Sequence, residues 1–287
     1  MKSKKIITIM LLAVMVVIFS CNIDDFLIPK NNNGADYSKE NTNLASEEVG
    51  HFHNMVLVKF NEYHPLVASN KLEAGKFADL LLRSINETLS ENGIKARVDK
   101  KDIALILRYL AKLRDDNIYD AFNPTREGLM RFMDYLAREN IIDSSAMSFY
   151  KETIIALEEN DRRYGSAYAL EKLPTVSTGN EKMDSMFSSI LMNSYQFWTE
   201  VENVAILDTI PPNPPEPPDW AEKVASYGTD VSVGLACILT VPLTMGWSIA
   251  GLAASTTASL AMECAFDDVW NWINNVLGPP EQPDPNH

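Results

Sequence analysis

Four histidines and three cysteines are the residues of this chain best suited to chemistry, and their placement limits what they can do. Glu48-Val49-Gly50-His51 has Glu-x-x-His spacing. On a helix that spacing sets a carboxylate and an imidazole on one face, and di-iron carboxylate bundles use the motif twice with two further carboxylates. It occurs once here, and His53 falls on another face, so no metal-ligand set is expected. An acyl-transfer triad needs a histidine base beside a nucleophile. The internal histidines His51, His53 and His64 crowd into the first helical region, and no catalytic residue is assigned. A glycosidase needs a carboxylate pair. Asp115-Asp116 and Glu158-Glu159 are the adjacent acids considered, and they read more simply as solvated helix ends. Trp198, Trp220, Trp247, Trp270 and Trp272 could stack on sugars, but their helical spacing suits packing. There is no Gly-rich phosphate loop, no His-Glu-x-x-His and no Cys-x-x-Cys, so no cofactor is expected.

The first cysteine has a different use. Lys2, Lys4 and Lys5 precede an uncharged apolar stretch from Ile6 to Phe19. At roughly fourteen residues this stretch is short for a spanning helix and suits the h-region of a secretory signal. Ile18-Phe19-Ser20-Cys21 then resembles a bacterial lipobox, although Phe19 is bulkier than is usual there. The resemblance implies diacylglycerol on the Cys21 thiol, cleavage before it, and acylation of the new amine. Asp24 and Asp25 follow, in Asn22-Ile23-Asp24-Asp25, and resemble the acidic export signal of Bacteroidota surface lipoproteins. The resemblance covers about the first 25 residues and implies a lipid-anchored cell-envelope protein on the outer membrane, displayed at the surface or, as the alternative, facing the periplasm. Asp208-Thr209-Ile210 resembles the Asp-Ser/Thr-apolar site of O-glycosylation in the same bacteria, which would place a glycan on Thr209; Asp184-Ser185-Met186 also fits but lies within a helical stretch.

Loss of residues 1–20 removes three lysines and no acid, leaving 22 basic against 39 acidic residues. Such a surface repels nucleic acid, whose phosphates are bound through Lys and Arg. The expected contacts are the membrane, through the lipid, and a protein partner at the cell surface.

The body reads as all-α. Residues 21–45 are polar and form a tether, and 46–207 carry six amphipathic stripes. These include Phe52, Val56 and Phe60; Phe77, Leu81 and Ile85; Ile103, Ile106 and Leu110; Leu129, Phe132 and Leu136; Met147, Tyr150 and Ile154; and Met183, Phe187 and Ile190. Asn92-Gly93 is a helix stop, Asp99 and Asp143 or Ser144 are N-caps, and Asn123-Pro124 opens a helix with proline in its first turn. Six such helices can close one core, as a bundle or an orthogonal array.

Residues 208–218 hold Pro211-Pro212-Asn213-Pro214-Pro215-Glu216-Pro217-Pro218, a stiff polyproline strap. After it, 219–277 reads as a hairpin of two helices rich in small residues, and 278–287 as a tail. From Val231 to Met262 there is no charge. That run is expected to be buried against the body; its alternative is insertion into a membrane. A hairpin turning near Gly246–Gly251 would set Cys237 and Cys264 at one height, where they could form a disulfide; a turn at Pro242–Gly246 would not. The expected function is a non-enzymatic helical binding module. A membrane-active effector inserting 231–262 and an envelope hydrolase are the alternatives.

Overall fold

The computed structural model describes residues 44–64, 72–208, 220–243, 245–263 and 268–278. Among the described residues it is all-α, without a strand. A 3-10 turn at Ser46–Glu48 leads into α1 (Val49–Tyr63), followed by α2 (Ala74–Glu91), α3 (Lys100–Asp115), α4 (Arg126–Arg138), α5 (Ser144–Tyr164) and the short α6 (Ser166–Glu171). Then come α7 (Glu181–Asp208), α8 (Trp220–Thr240), α9 (Trp247–Glu263) and α10 (Val269–Leu277). Cys21, Asp24, Asp25, Thr209 and Cys264 lie outside the described residues.

Local chemistry starts and stops these helices. The Asp99 carboxylate accepts from the backbone N–H groups of Lys101 and Asp102, and Asp143 does the same for Ser145 and Ala146. After α2, Gly93 takes a φ of +73°, a left-handed conformation that glycine adopts without strain. Helix α4 begins two residues later than the Asn123-Pro124 signal suggested. Thr125 is its N-cap, accepting from Gly128 N at 3.0 Å, so Pro124 precedes the helix instead of sitting in its first turn.

The six stripes close a core, but α8 and α9 complete it. Helix α9 packs against α1, α3, α7 and α8, and α8 packs against α4, α5, α7 and α9. Every residue from 249 to 261 is buried, so α9 is enclosed on all sides. This is the position that a helix without a polar face requires. Three of its hydroxyls are satisfied within the helix: Ser255 donates to Leu252 O, Thr256 to Leu252 O and Thr257 to Ala253 O, at 3.2, 2.7 and 2.5 Å.

The expected two-helix hairpin at 219–277 becomes three helices, since α10 separates and packs on α3 and α2. The Trp270 indole N–H donates to Asp115 Oδ2 at 2.9 Å, and Arg108 donates to Gly278 O at 3.2 Å. The α8–α9 turn lies between Thr240 and Trp247. Cys237 is therefore near the turn, and Cys264 lies outside the described residues. Cys237 is a buried free thiol whose pKa burial pushes up.

Candidate functional site

Two places in the fold gather polar chemistry. One is buried, on α1, α7, α8 and α9; the other is an open groove between α3 and α4.

The buried place centres on His53 and Asp230, both fully inaccessible to solvent. His53 Nδ1 lies 3.1 Å from Asn54 Oδ1, an acceptor, so Nδ1 carries the proton. The Asn54 amide is oriented by its own N–H donation to Asn193 O at 2.8 Å. In the neutral ring Nε2 is then an acceptor, and Ser259 Oγ lies 3.0 Å from it. Asp230 Oδ2 lies 3.7 Å from the same Nε2 and accepts from Ser194 Oγ and, at 3.2 Å, from the Trp198 indole. Burial lowers the pKa of His53 and raises that of Asp230, and each partly offsets the other's shift. A serine, a histidine and an acid do converge, but the acid and the serine meet the same ring nitrogen. A triad uses both nitrogens and faces a substrate. Here serine, histidine and acid are sealed in the core, where they join α1 and α7 to the α8–α9 hairpin.

The other expected sites resolve as structural parts. His51 packs edge-on against Phe52, at 6.0 Å between ring centroids, and Glu48 Oε2 accepts from Ala45 N at 3.3 Å. Gly50, between them, faces α7 so closely that a Cβ there would stand 1.9 Å from Ser189 O. No group of three metal-ligating side chains occurs among the described residues. Glu158 is not a solvated helix end as expected: it is buried and accepts from Arg126 Nε through both oxygens, at 3.1 and 3.0 Å. Asp115 is held by Trp270 and, at 3.0 Å, by Arg114 Nε. Ser185 lies within α7, and its neighbour Asp184 is engaged by Thr178 and Tyr150.

The groove has a volume of about 890 Å³ and lies at the end of α3, along the following loop and on the outer face of α4. The stripe Leu129, Phe132, Met133 and Leu136 turns one face of α4 inward. The opposite face therefore presents Arg131, Asp134 and Arg138, all exposed, with half-buried Tyr135 beside them. Arg114 enters from α3. Its guanidinium lies over the Phe122 ring at 5.2 Å, and that of Arg138 over Tyr135 at 5.6 Å. Arg138 Nε also donates to Glu139 at 3.2 Å. Arg131 makes no ion pair among the described residues. Asp134, also in the groove, is paired with Lys151 at 2.6 Å, and Asp120 accepts from Phe122 N at 3.1 Å. Each of these two carboxylates thus has one partner within the protein, and terminal amino groups of the arginines remain as donors.

Sequence reasoning missed this groove. Its signal was present as Arg131-x-x-Asp134-Tyr135-x-x-Arg138, a polar stripe at helical spacing. Compared with models of known families, with curated proteins and with solved structures, the chain matches none.

Proposed function

We propose that this chain is a lipid-anchored envelope protein whose helical body is a non-enzymatic binding module, with the α3–α4 groove as its recognition surface. The lipobox-like Ile18-Phe19-Ser20-Cys21 supports the anchor. The observation that carries the binding role is the convergence of Arg114, Arg131 and Arg138 on one open groove, in a chain with 39 acidic against 25 basic residues. Exposed arginines with open donor edges are well suited to recognising a partner.

The hydrolase alternative needs two carboxylates free to share a proton or activate water. Asp134 of the groove is ion-paired with Lys151, and Asp120 accepts from Phe122 N, each through one oxygen, an arrangement that supports binding more readily than hydrolysis. The test is cross-linking of the anchored protein in intact cells. Wild type is compared with the double variant Arg131→Glu, Arg138→Glu and with a variant on a distant face, Arg162→Glu, Arg163→Glu. The groove variant is expected to lose the envelope proteins that wild type and the distant variant retain. An unchanged set of cross-linked partners in the groove variant rejects the groove as the recognition surface.

A further inference from the structure

Resting on that reading, we propose that the groove takes an acidic peptide segment of its partner in extended form, held at two carboxylates by Arg131 and Arg138, with Arg114 reaching in from α3. The spacing comes from the helix. Seven residues separate Arg131 from Arg138, close to two full turns, so both lie on one face about 10 Å apart along the axis. Three to four residues of extended chain cover that distance at about 3.3 Å each. Both positions are exposed on the outer face of α4.

Each arginine suits a carboxylate. A guanidinium is a planar fork that binds a carboxylate in two-point fashion, more specifically than an ammonium does. Arg114 and Arg138 are steadied by aromatic rings and by a neighbouring acid at Nε, which leaves their terminal amino groups outward. Holding the fork in place lowers the entropy lost on binding. Asp134 sits midway between Arg131 and Arg138, where Lys151 offsets its charge at 2.6 Å but leaves the carboxylate exposed, and Asp120 is a second acid of the lining, so the three arginines must outweigh two acids for an acidic ligand. On the far wall, Asn117 and Asn123 offer amide groups that can pair with a peptide backbone.

The arrangement favours a peptide over a single phosphate. One phosphate is bound where several donors meet at a point, whereas these cations are spread over two turns. The acidic remainder of the surface repels the same ligand elsewhere, so a net-acidic chain would take an acidic segment in one register only.

The test measures fluorescence anisotropy of labelled octaglutamate on the full-length protein in detergent, with octaglutamine as the neutral control. Octaglutamate is expected to bind, and to bind more weakly as salt rises from about 50 to about 500 mM. The double variant Arg131→Gln, Arg138→Gln should weaken binding about tenfold or more, and the double lysine variant should fall between, because it keeps charge and loses the fork. Thermal melts of the variants should match wild type, since both side chains are exposed. Octaglutamate binding no better than octaglutamine, or binding equally to the glutamine variant, overturns the proposal. So does competition in which inorganic phosphate or polygalacturonate displaces the peptide at lower concentration than unlabelled octaglutamate. If octaglutamate fails while the cross-linking above still depends on Arg131 and Arg138, the peptide chemistry is wrong and the groove stands. If both fail, neither reading survives.

Discussion

Asp230 places a carboxyl group where no water reaches it. Two donors and a nearby imidazole serve Oδ2, and Oδ1 has no hydrogen-bond partner. Burying a charge costs several kcal/mol unless it is fully paired. The direction of both shifts therefore describes a neutral imidazole beside an acid held toward its protonated form. That assignment has a pH signature. The unfolded His53 takes up a proton below its ordinary value of about 6.5, and the folded one resists it. A folded pKa below the unfolded one means that His53's contribution to stability is full above that value and declines as pH falls beneath it. His51 and His64 are lowered too, also chiefly by burial, so the difference between wild type and a His53 variant isolates the buried ring. At about pH 7.5, His53→Gln is expected to lose about 2 kcal/mol in urea denaturation, through mismatched hydrogen bonds to Asn54 and Ser259. At about pH 5.5 the gap should be smaller. A constant gap would mean that burial does not shift the ring, and a wider one that the folded ring is charged against an ionised Asp230.

Gly50 shows how close two of these helices come. A Cβ at this position would stand 1.9 Å from Ser189 O, a backbone atom that no rotamer change can move aside. Two hydrogen bonds fix the same contact: Gly50 N donates to Ser189 Oγ at 2.9 Å, and Ser189 Oγ donates to Glu47 O at 2.6 Å. Gly50→Ala should push α1 off α7 and cost about 3 kcal/mol, at the upper end for overpacking and against the usual gain of alanine in a helix. Chemical denaturation reads this directly, and a stabilised alanine variant would show that the two helices do not meet there. Periodicity made such helices legible in the sequence. The stripe Ile103, Ile106, Leu107 and Leu110 turns inward as its spacing requires, and Asp99 and Asp143 cap as their chemistry allows. What periodicity could not carry was pairing across the chain. His53 meets Asp230 and Ser259 only through the fold, and Glu158 sits in a charged run that resembles a wet helix end until Arg126 covers it. The groove was hidden for a related reason. A polar stripe is the ordinary outer face of a helix, and only the loop folded against α4 turns it into one wall of a cavity.

For the whole molecule, the central question is what the uncharged run from Val231 to Met262 is for. Read alone, it is long enough to enter a bilayer. In the fold it is divided by the turn after Thr240, and no helix among the described residues is long and apolar enough to cross a membrane. Its second half, α9, forms the middle of the core, where small residues let α1, α3, α7 and α8 approach. Leaving that position would expose the apolar faces of those helices. It would also strand the buried Asp230 pair, whose partners lie on α1, α7 and α9. Insertion would therefore dismantle the body rather than release a hinge. A truncation before Pro211 would do the same, because it removes α8 and α9 from the core, so it cannot serve as a control for membrane binding. The informative form is the chain beginning at Asn22, which lacks Cys21 and keeps every described helix. It carries 22 basic and 39 acidic residues, so anionic lipid repels it, and zwitterionic lipid finds no exposed apolar helix among the described residues. This form is expected to remain in the supernatant with phosphatidylcholine vesicles and with phosphatidylglycerol vesicles, at neutral pH and at about pH 5.5. The form carrying lipid on Cys21 should pellet with both. Pelleting of the lipid-free chain with intact cooperative unfolding would point to a surface membrane contact outside α9. Pelleting with loss of that unfolding would mean that the core opens and that residues 231–262 enter the bilayer after all.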